Sequence, residues 1–216
     1  YKRQAYDTRK LVGNNATVFF ALNGEQRKGI SFIDDAYSKG VRVFVIPKRD
    51  QIDFKKDATY LIVNDPLKAL QSLAKFHRSK FTLPVVAITG SVGKTTVKEW
   101  AYHLLKDRYK VVRSPKSYNS QLGVAISLLE INSAHEIALI EAGISQPNEM
   151  RFLLEMIQPT TGVFTSFGSA HAYAFRSVNE HFSEKSLLFN SVDVTYISDS
   201  ISIESFDINT INGLIV

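Results

Sequence analysis

A glycine-containing loop that runs into a lysine and two threonines is the stretch of this sequence best suited to chemistry. It lies within residues 85–100, VVAITGSVGKTTVKEW, between an apolar run and a helical pattern. In such a loop, successive backbone N–H groups and the start of the helix bind phosphate, and the lysine reaches the outer phosphates. The hydroxyl of Thr95 would then bind a magnesium ion. The residues predicted to form this phosphate loop are Gly90, Ser91, Val92, Gly93, Lys94, Thr95 and Thr96.

The match to the standard phosphate-loop pattern is incomplete, because Ile88 stands where the pattern has an additional glycine. The alternative is an ordinary glycine turn before a helix whose lysine is solvated. An apolar run before the loop and a helical pattern after it favour the phosphate loop. The helical pattern places on one side Val97, Trp100, Leu104 and Leu105.

An acidic residue closes a later apolar run. Glu141 ends the segment EIALIE. A carboxylate at a strand end beside a phosphate loop is a typical magnesium ligand, because this hard cation prefers oxygen and the phosphates supply the remaining ligands. The alternative is an exposed glutamate in a salt bridge, and the phosphate loop favours the metal ligand.

Three further polar residues are candidates with ordinary alternatives. His171 lies in the loop segment GSAH, where a histidine is commonly solvated or caps a helix. Asn119 lies between a predicted strand and a predicted helix, where a polar side chain caps the helix or contacts a ligand. Spacing alone predicts that Lys185, beside an apolar stripe in FSEKSLLF, is a surface residue. The sequence contains neither an HExxH metal pattern nor a GxSxG nucleophile elbow.

Strands and helices alternate from the phosphate loop onward. Strands are predicted at 84–89, 109–113, 136–141, 161–165 and 193–197, and helices at 94–106, 121–130, 147–157 and 177–189. This alternation predicts an α/β fold with a mainly parallel sheet and helices on both faces. Lys94, Glu141 and His171 would then lie at the carboxyl edge of the sheet, where ligands bind. The sequence pattern predicts that a further strand begins at 208–216.

The first part of the chain predicts a smaller α/β unit. Strands are predicted at 17–22, 41–46 and 59–63, with a helix at 31–39 that Ser31 caps and Gly40 ends. Another helix opens at Asp65 and Pro66. The polar and basic residues 78–82 predict a linker, which places the two domains at 1–82 and 83–216.

Composition limits the class of protein. The 216 residues are 44% hydrophobic and 22% charged, which is typical of one large or two modest globular domains. No apolar run approaches the roughly 18 residues of a membrane span. The absence of cysteine excludes disulfides, thiolate metal sites and a cysteine nucleophile, and fits a cytoplasmic protein. The net charge of +5 favours anionic ligands, but the basic residues are dispersed, which argues against a nucleic-acid-binding domain.

Five motifs, in this order, resemble those of the Mur ligases of peptidoglycan synthesis. They are TGSVGKTTVKEW, SYNSQLGV, IEAGISQPNEM, GSAHAYAF and SEKSLLF. Within that family the pair Lys98-Glu99 resembles the MurF type, the UDP-N-acetylmuramoyl-tripeptide:D-alanyl-D-alanine ligases, more than the MurE type. RSPKSYNSQLGV, EAGISQPNEM and NDPLKALQSLAKFHR are similar to a bacterial fusion in which a MurF-like half precedes an alanine racemase.

The resemblance implies roles for the residues singled out above. Lys94 would bind the β- and γ-phosphates of ATP, Thr95 and Glu141 would hold one magnesium ion, and His171 would help to hold a second. Lys185 would be carbamylated, which turns a cation into a carboxylate-like group that positions magnesium. Lys94, His171 and Lys185 are thus the implied catalytic residues.

The resemblance also implies substrate contacts and some departures. Asn119 would face ATP or the muramoyl substrate, and the uridine nucleotide would be held by Asp7, Thr8 and Arg9 in the first domain. The chain departs from the family at four positions that concern substrate contacts rather than phosphate chemistry. Val92 stands where the family often has asparagine or serine, and Ser166 stands where asparagine is common. Lys28 and Ile30 stand where aspartate and histidine usually flank the glycine.

The implied activity is ATP-dependent formation of an amide bond. ATP converts the terminal carboxylate of the tripeptide to an acyl phosphate, the amine of D-alanyl-D-alanine attacks it, and phosphate leaves. Mur ligases have a third, C-terminal domain that closes over ATP, so we expect the present chain to be a fragment that is inactive alone. The alternatives are a MurE-like ligase that adds one amino acid, or a lapsed nucleotide-binding module attached to an alanine racemase.

Overall fold

The computed structural model describes residues 3–5, 17–24, 27–48, 52–168, 174–192 and 194–197. The chain divides into two units, Tyr1–Leu73 and Ala74–Val216. The predicted strand at 208–216 lies outside the described residues. Among the residues that are described, every helix is too short or too polar to cross a lipid bilayer.

The first unit is built on a parallel sheet of four strands in the order β1-β2-β3-β4. The strands are β1 (Arg3–Ala5), β2 (Thr17–Phe20), β3 (Val43–Pro47) and β4 (Thr59–Val63). A 3-10 turn (Gly29–Phe32) and helix α1 (Ile33–Ser38) connect β2 to β3. The strands and the helix predicted here are confirmed to within a few residues. The predicted cap is wrong, because Ser31 lies inside the 3-10 turn and its hydroxyl donates to the carbonyl of Lys28.

Helix α2 (Pro66–Arg78) crosses the division between the two units. Its last residue, Arg78, is buried, and the guanidinium donates to the backbone carbonyls of Ile157 and Gln158 at 2.9 Å each. These bonds attach the end of the helix to the second unit. Arg78 is therefore part of the helix and not of the predicted linker. The two units divide after Leu73, and the domain boundary at residue 82 stays a prediction.

The second unit is also built on a parallel sheet, of five strands in the order β6-β7-β5-β8-β9. The strands are β5 (Val85–Thr89), β6 (Val111–Arg113), β7 (Ile137–Glu141), β8 (Thr161–Phe164) and β9 (Val194–Ile197). The helices are α3 (Lys94–Leu105), α4 (Gln121–Leu129), α5 (Glu149–Ile157) and α6 (Val178–Ser186), which runs into a 3-10 turn (Leu187–Ser191). The alternation predicted from the sequence is confirmed. In the centre of the sheet, β5 places Ile88 opposite Glu141 of β7.

Helix α3 does not bury the apolar side that the sequence predicts. Trp100 and Leu104 are 67% and 80% exposed, whereas Lys98 is fully buried. The helix packs on β5, β6 and β7. The side of α3 that faces the sheet therefore carries a buried charge, which points to a polar site beneath this helix.

Candidate active site

The predicted phosphate loop joins the central strand β5 to helix α3. Gly90 and Gly93 have φ angles of 140° and 90°, a region that residues with a side chain rarely adopt. A Cβ atom on Gly90 would also lie 2.2 Å from the Oγ1 atom of Thr165, so space as well as backbone conformation requires glycine. Gly93 is the N-cap of α3, and the N–H groups of the first helical turn therefore open directly onto the loop.

The loop is fastened to the segment that follows β8. The N–H of Ser91 donates to the carbonyl of Ser166 at 2.8 Å, and the N–H of Val92 donates to the Ser166 hydroxyl at 3.2 Å. That hydroxyl in turn donates to the carbonyl of Val92 at 2.9 Å. Val92 and Ser166, two of the departures from the family, thus contact each other. A phosphate bound by the N–H of Val92 would have to displace the Ser166 hydroxyl.

Two lysines share one backbone carbonyl at the mouth of the loop. The Nζ atoms of Lys94 and Lys185 lie 2.7 Å and 3.2 Å from the carbonyl oxygen of Gly90. Lys185 is only 1% exposed, so the surface position predicted from spacing is wrong. Burial, reinforced by the charge of Lys94, lowers the pKa of Lys185 to about 8. Burial also lowers the pKa of Lys94, against the opposing effect of Glu141.

Glu141 and Thr95 meet at the carboxyl end of β7. The Thr95 hydroxyl donates to the Oε2 atom of Glu141 at 3.1 Å. Glu141 is fully buried, so the alternative of an exposed strand-end glutamate is wrong. Its Oε1 atom lies 2.9 Å from the Nζ atom of Lys98 but accepts no well-oriented hydrogen bond within the described part of the chain. A hydroxyl and a carboxylate beside a phosphate loop are the oxygen donors that magnesium prefers.

Lys98 is the residue of this site to which the sequence analysis gave no role. Its buried Nζ atom donates to the carbonyl of Ser114 at 2.8 Å and to the carbonyl of Lys116, besides its contact with Glu141. Lys98 follows Thr95 by three residues, a helical spacing that places both on the same face. That spacing was the available signal, since it puts a lysine beside the predicted magnesium ligand.

Asn119 lies beside the turn that follows β7. The N–H of Gly143 donates to the Asn119 carbonyl at 2.9 Å, and a Cβ atom on Gly143 would lie 2.8 Å from the Cγ atom of Asn119. The N-cap of α4 is Ser120, whose hydroxyl accepts the N–H of Gly123 at 3.3 Å. Capping therefore does not account for Asn119. Thr96, in the first turn of α3, has an exposed side chain.

Four of the predicted site residues, Asp7, Thr8, Arg9 and His171, lie outside the described residues. Their roles stay predictions. Across the described ranges, no three histidine, aspartate or glutamate side chains form a cluster that could hold a metal. A magnesium ion at this edge would therefore depend on Thr95, Glu141 and the oxygens of a bound phosphate.

Comparisons with known proteins show the family to which the chain belongs. The model of the Mur ligase middle domain matches residues 88–206, more than half of the chain. The chain is 35% identical over 165 residues to the UDP-N-acetylmuramoyl-tripeptide–D-alanyl-D-alanine ligase of Synechocystis sp., a match that covers 76% of this chain and 36% of the relative. The ligase of the same name from Borreliella burgdorferi is 29% identical over 218 residues, which covers 97% of this chain and 45% of the relative. The chain thus spans less than half the length of either relative.

Solved structures show the same fold. MurF from Acinetobacter baumannii superposes with a TM-score of 0.87 at 25% identity, over 98% of this chain and 47% of that protein. The MurF ligase from Thermotoga maritima in complex with ADP gives a TM-score of 0.85 at 25% identity, over 99% of this chain and 50% of that protein. Because the Mur ligase middle domain matches more than half of its residues, the chain belongs to the Mur ligase family.

Proposed function

We propose that this chain provides the uridine-nucleotide-binding and ATP-binding domains of a MurF-type ligase, which joins D-alanyl-D-alanine to UDP-N-acetylmuramoyl-tripeptide. One observation carries the proposal: buried Glu141 is hydrogen-bonded to Thr95 of the phosphate loop, beside two lysines on the Gly90 carbonyl. The names of the relatives support this substrate pair. The two domains are proposed as residues 1–82 and 83–216, and the uridine nucleotide is assigned to Asp7, Thr8 and Arg9.

Lys94 is proposed to bind the outer phosphates of ATP. Its ammonium group is held at the loop by the carbonyls of Gly90 and Ser91, at 2.7 Å and 3.3 Å. Phosphate oxygens can replace these neutral acceptors and form stronger, charge-assisted hydrogen bonds. A fixed cation at this point offsets charge on the transferred phosphoryl group, which is the main source of rate in phosphoryl transfer. Asn119 is proposed to border the same nucleotide site.

Thr95 and Glu141 are proposed to hold a magnesium ion through Oγ1 and Oε2, with His171 assigned to a second ion. Magnesium, when bound, supplies positive charge that offsets the charge of the phosphates. Burial of Glu141 keeps water away from this carboxylate, and the Thr95 hydroxyl fixes its direction. Both protein oxygens are thus in place before a nucleotide binds.

Lys185 is proposed to carry a carbamate. Its lowered pKa, about 8, leaves roughly a tenth of the side chain as neutral amine at pH 7, and only the neutral amine attacks carbon dioxide. The nitrogen forms a bond to the carbon of carbon dioxide and loses one proton, which leaves an anionic carbamate. The change replaces two neighbouring cations by an ion pair with Lys94, so the repulsion that lowers the pKa of Lys185 becomes an attraction.

The reaction proposed for the whole ligase has two steps. The terminal carboxylate of the tripeptide attacks the γ-phosphorus of ATP, which forms an acyl phosphate and releases ADP. The amine of D-alanyl-D-alanine then attacks the acyl carbon, loses a proton and releases phosphate. Because the relatives are more than twice as long as this chain, we expect residues 1–216 to bind nucleotide but to be inactive as a ligase alone.

Phosphate release by a complete ligase that contains this chain tests the proposal. With ATP and UDP-N-acetylmuramoyl-tripeptide, release should require D-alanyl-D-alanine and should disappear in the Lys94→Ala variant. Release with single amino acids instead would show a MurE-like ligase. If folded protein releases no phosphate with any acceptor, the ligase activity is contradicted. That result would favour a lapsed module that supports another domain such as a racemase.

A further inference from the structure

We infer that Lys98 is a positioning residue that makes Glu141 a one-oxygen ligand, presenting only its Oε2 atom to a nucleotide-bound divalent cation. The inference rests on the proposed role of Glu141 in holding that cation. It concerns a residue that the phosphate-loop pattern leaves out, since Lys98 lies one helical turn beyond Lys94.

The two oxygens of Glu141 have different surroundings. Oε2 accepts the hydroxyl of Thr95, the residue at the start of α3. Oε1 faces the Lys98 ammonium at 2.9 Å, and both side chains are 0% exposed. An ammonium group within contact distance repels a second cation, so the Oε1 side of the carboxylate is closed to a metal ion. Oε2, on the Thr95 side, is therefore the oxygen left for the cation.

The Lys98 ammonium is itself fixed by oxygens from separate segments of the chain. It donates to the carbonyls of Ser114 and Lys116, which follow β6, and lies 3.2 Å from the Oε1 atom of Glu99. An ammonium has three donors and no acceptor, and two of the three are used by these carbonyls. Lys98 cannot swing away from Glu141 without giving up these bonds, one of which satisfies the carbonyl of buried Ser114.

The same contacts fix the end of β6 to the end of β7. The N–H of Glu141 donates to the hydroxyl of buried Ser114 at 3.1 Å, and the carbonyl of that serine accepts from Lys98. Lys116 has a φ of 50°, an uncommon conformation for a residue with a side chain. Lys98 thus holds together the carboxylate and the segment that leads to Asn119.

A consequence follows for binding of the cation. With Lys98 in place, Glu141 and its partner are together neutral, so the chain alone should attract a divalent cation weakly. The phosphates of a nucleotide must supply most of the charge and most of the ligands. The cation and the nucleotide should therefore bind as a unit, and this dependence should be lost when Lys98 is changed.

The test compares residues 1–216 with the Lys98→Met and Glu99→Gln variants. Electron paramagnetic resonance measures Mn²⁺ binding with and without ADP, and calorimetry measures ADP binding with and without Mn²⁺. For the unchanged chain we expect Mn²⁺ to bind only when ADP is present. Mn²⁺ should raise the ADP affinity of Lys98→Met by a factor about tenfold or more smaller than in the unchanged chain. Without metal, the ADP affinity of this variant should stay within about twofold of that of the unchanged chain. Glu99→Gln, which leaves Glu141 and Lys98 in contact, should match the unchanged chain.

A purely structural role for Lys98 would weaken both ADP measurements together. If Lys98→Met folds and its ratio of ADP affinity with Mn²⁺ to ADP affinity without Mn²⁺ equals that of the unchanged chain, the inference is overturned. If Lys98→Met fails to fold, Mn²⁺ binding by the unchanged chain is the test. Mn²⁺ that binds equally tightly with and without ADP would overturn the inference, and Mn²⁺ binding that requires ADP would support it. No ADP binding under any condition would contradict the proposed function itself, and this inference with it.

Discussion

Among the described residues, the two units differ in that a fully buried ion pair lies in the second. In the first unit the ion pairs lie at the surface, as in Arg42 and Asp57, which are 2.8 Å apart with 34% and 57% of their side chains exposed. In the second unit Lys98 and Glu141 form a pair at 2.9 Å with no exposure at all. Exposed pairs contribute little to stability, whereas buried ions cost free energy that their partners must offset. The second unit thus maintains a costly arrangement at the edge where its strands end.

The largest difference between the units should appear when an acidic partner is removed. Glu141→Ala removes the buried carboxylate beside the Lys98 ammonium and leaves it beside the partly exposed Glu99, and should lower the free energy of unfolding of the second unit by about 3 kcal/mol. Asp57→Ala in the first unit should cost far less, because water solvates the Arg42 guanidinium that remains. Urea denaturation of both variants measures the two losses. Equal losses would show that burial of the pair has no energetic consequence.

Two glycines with positive φ offer a second contrast. A Cβ atom on Gly90 would collide with Thr165, whereas a Cβ atom on Gly40, at a φ of 89°, would meet no atom within 4 Å. Gly40→Ala should therefore cost only the backbone strain, about 1–2 kcal/mol. Gly90→Ala should cost more and should also weaken ADP binding by about tenfold or more, because the loop must move. Urea denaturation and calorimetry check the two effects. Tight ADP binding by Gly90→Ala would exclude this loop as the phosphate site.

The pH dependence of stability should have opposite signs for one lysine in each unit. The folded pKa of Lys185 is about 8 and its unfolded pKa is near 10.5, so the unfolded chain binds more protons between these values and stability should rise with pH there. Hydrogen bonds to Asp34 and Asp53 raise the pKa of Lys55, so its contribution is present below about pH 10.5 and is lost as pH rises through the folded value.

Denaturation from pH 8 to 10 in buffers free of carbon dioxide measures the slope that comes from Lys185. The Lys185→Met variant should lose the rise in stability of the second unit, and Lys55→Met should keep it. A rise of the same size in Lys185→Met would mean that burial of this lysine does not perturb its protonation.

The smallest effect is expected at the contact between the phosphate loop and the segment after β8. Ser166→Ala removes the hydroxyl that occupies the N–H of Val92, and should change ADP affinity by about 1 kcal/mol, or several-fold, toward tighter binding. Ser38→Ala, whose hydroxyl bonds only a local carbonyl in the first unit, is a matched control and should change nothing. Weaker ADP binding by Ser166→Ala would show that the hydroxyl supports the loop instead of competing with phosphate.

The sequence predicted the parts of this fold that depend on local pattern. Asp65 caps α2 through its carboxylate, Gly40 ends the first helix, and the strands of the second unit lie where alternation placed them. The meeting of Thr95 and Glu141 followed from parallel strands whose carboxyl ends share an edge.

Other features depend on distant contacts that no local pattern records. The buried ammonium groups of Lys98 and Lys185 donate to backbone carbonyls of residues far along the chain. Periodicity therefore predicted that Lys185 is a surface residue and gave Lys98 no role. Exposure of Trp100 and Leu104 arose in the same way, because the side of α3 that packs on the sheet is set by polar contacts and not by its apolar stripe. Charged residues at helical spacing beside a phosphate loop are thus candidates for burial.

The most direct test of the account is the affinity of residues 1–216 for ADP with and without Mg²⁺, measured by calorimetry beside the Lys94→Ala variant. The account predicts that Mg²⁺ strengthens ADP binding through Thr95 and Glu141, and that Lys94→Ala weakens binding under both conditions. The account claims that the carboxyl edge of the second sheet is a magnesium-nucleotide site. That claim is contradicted if the folded chain does not bind ADP, or if neither Mg²⁺ nor Lys94→Ala changes its ADP affinity.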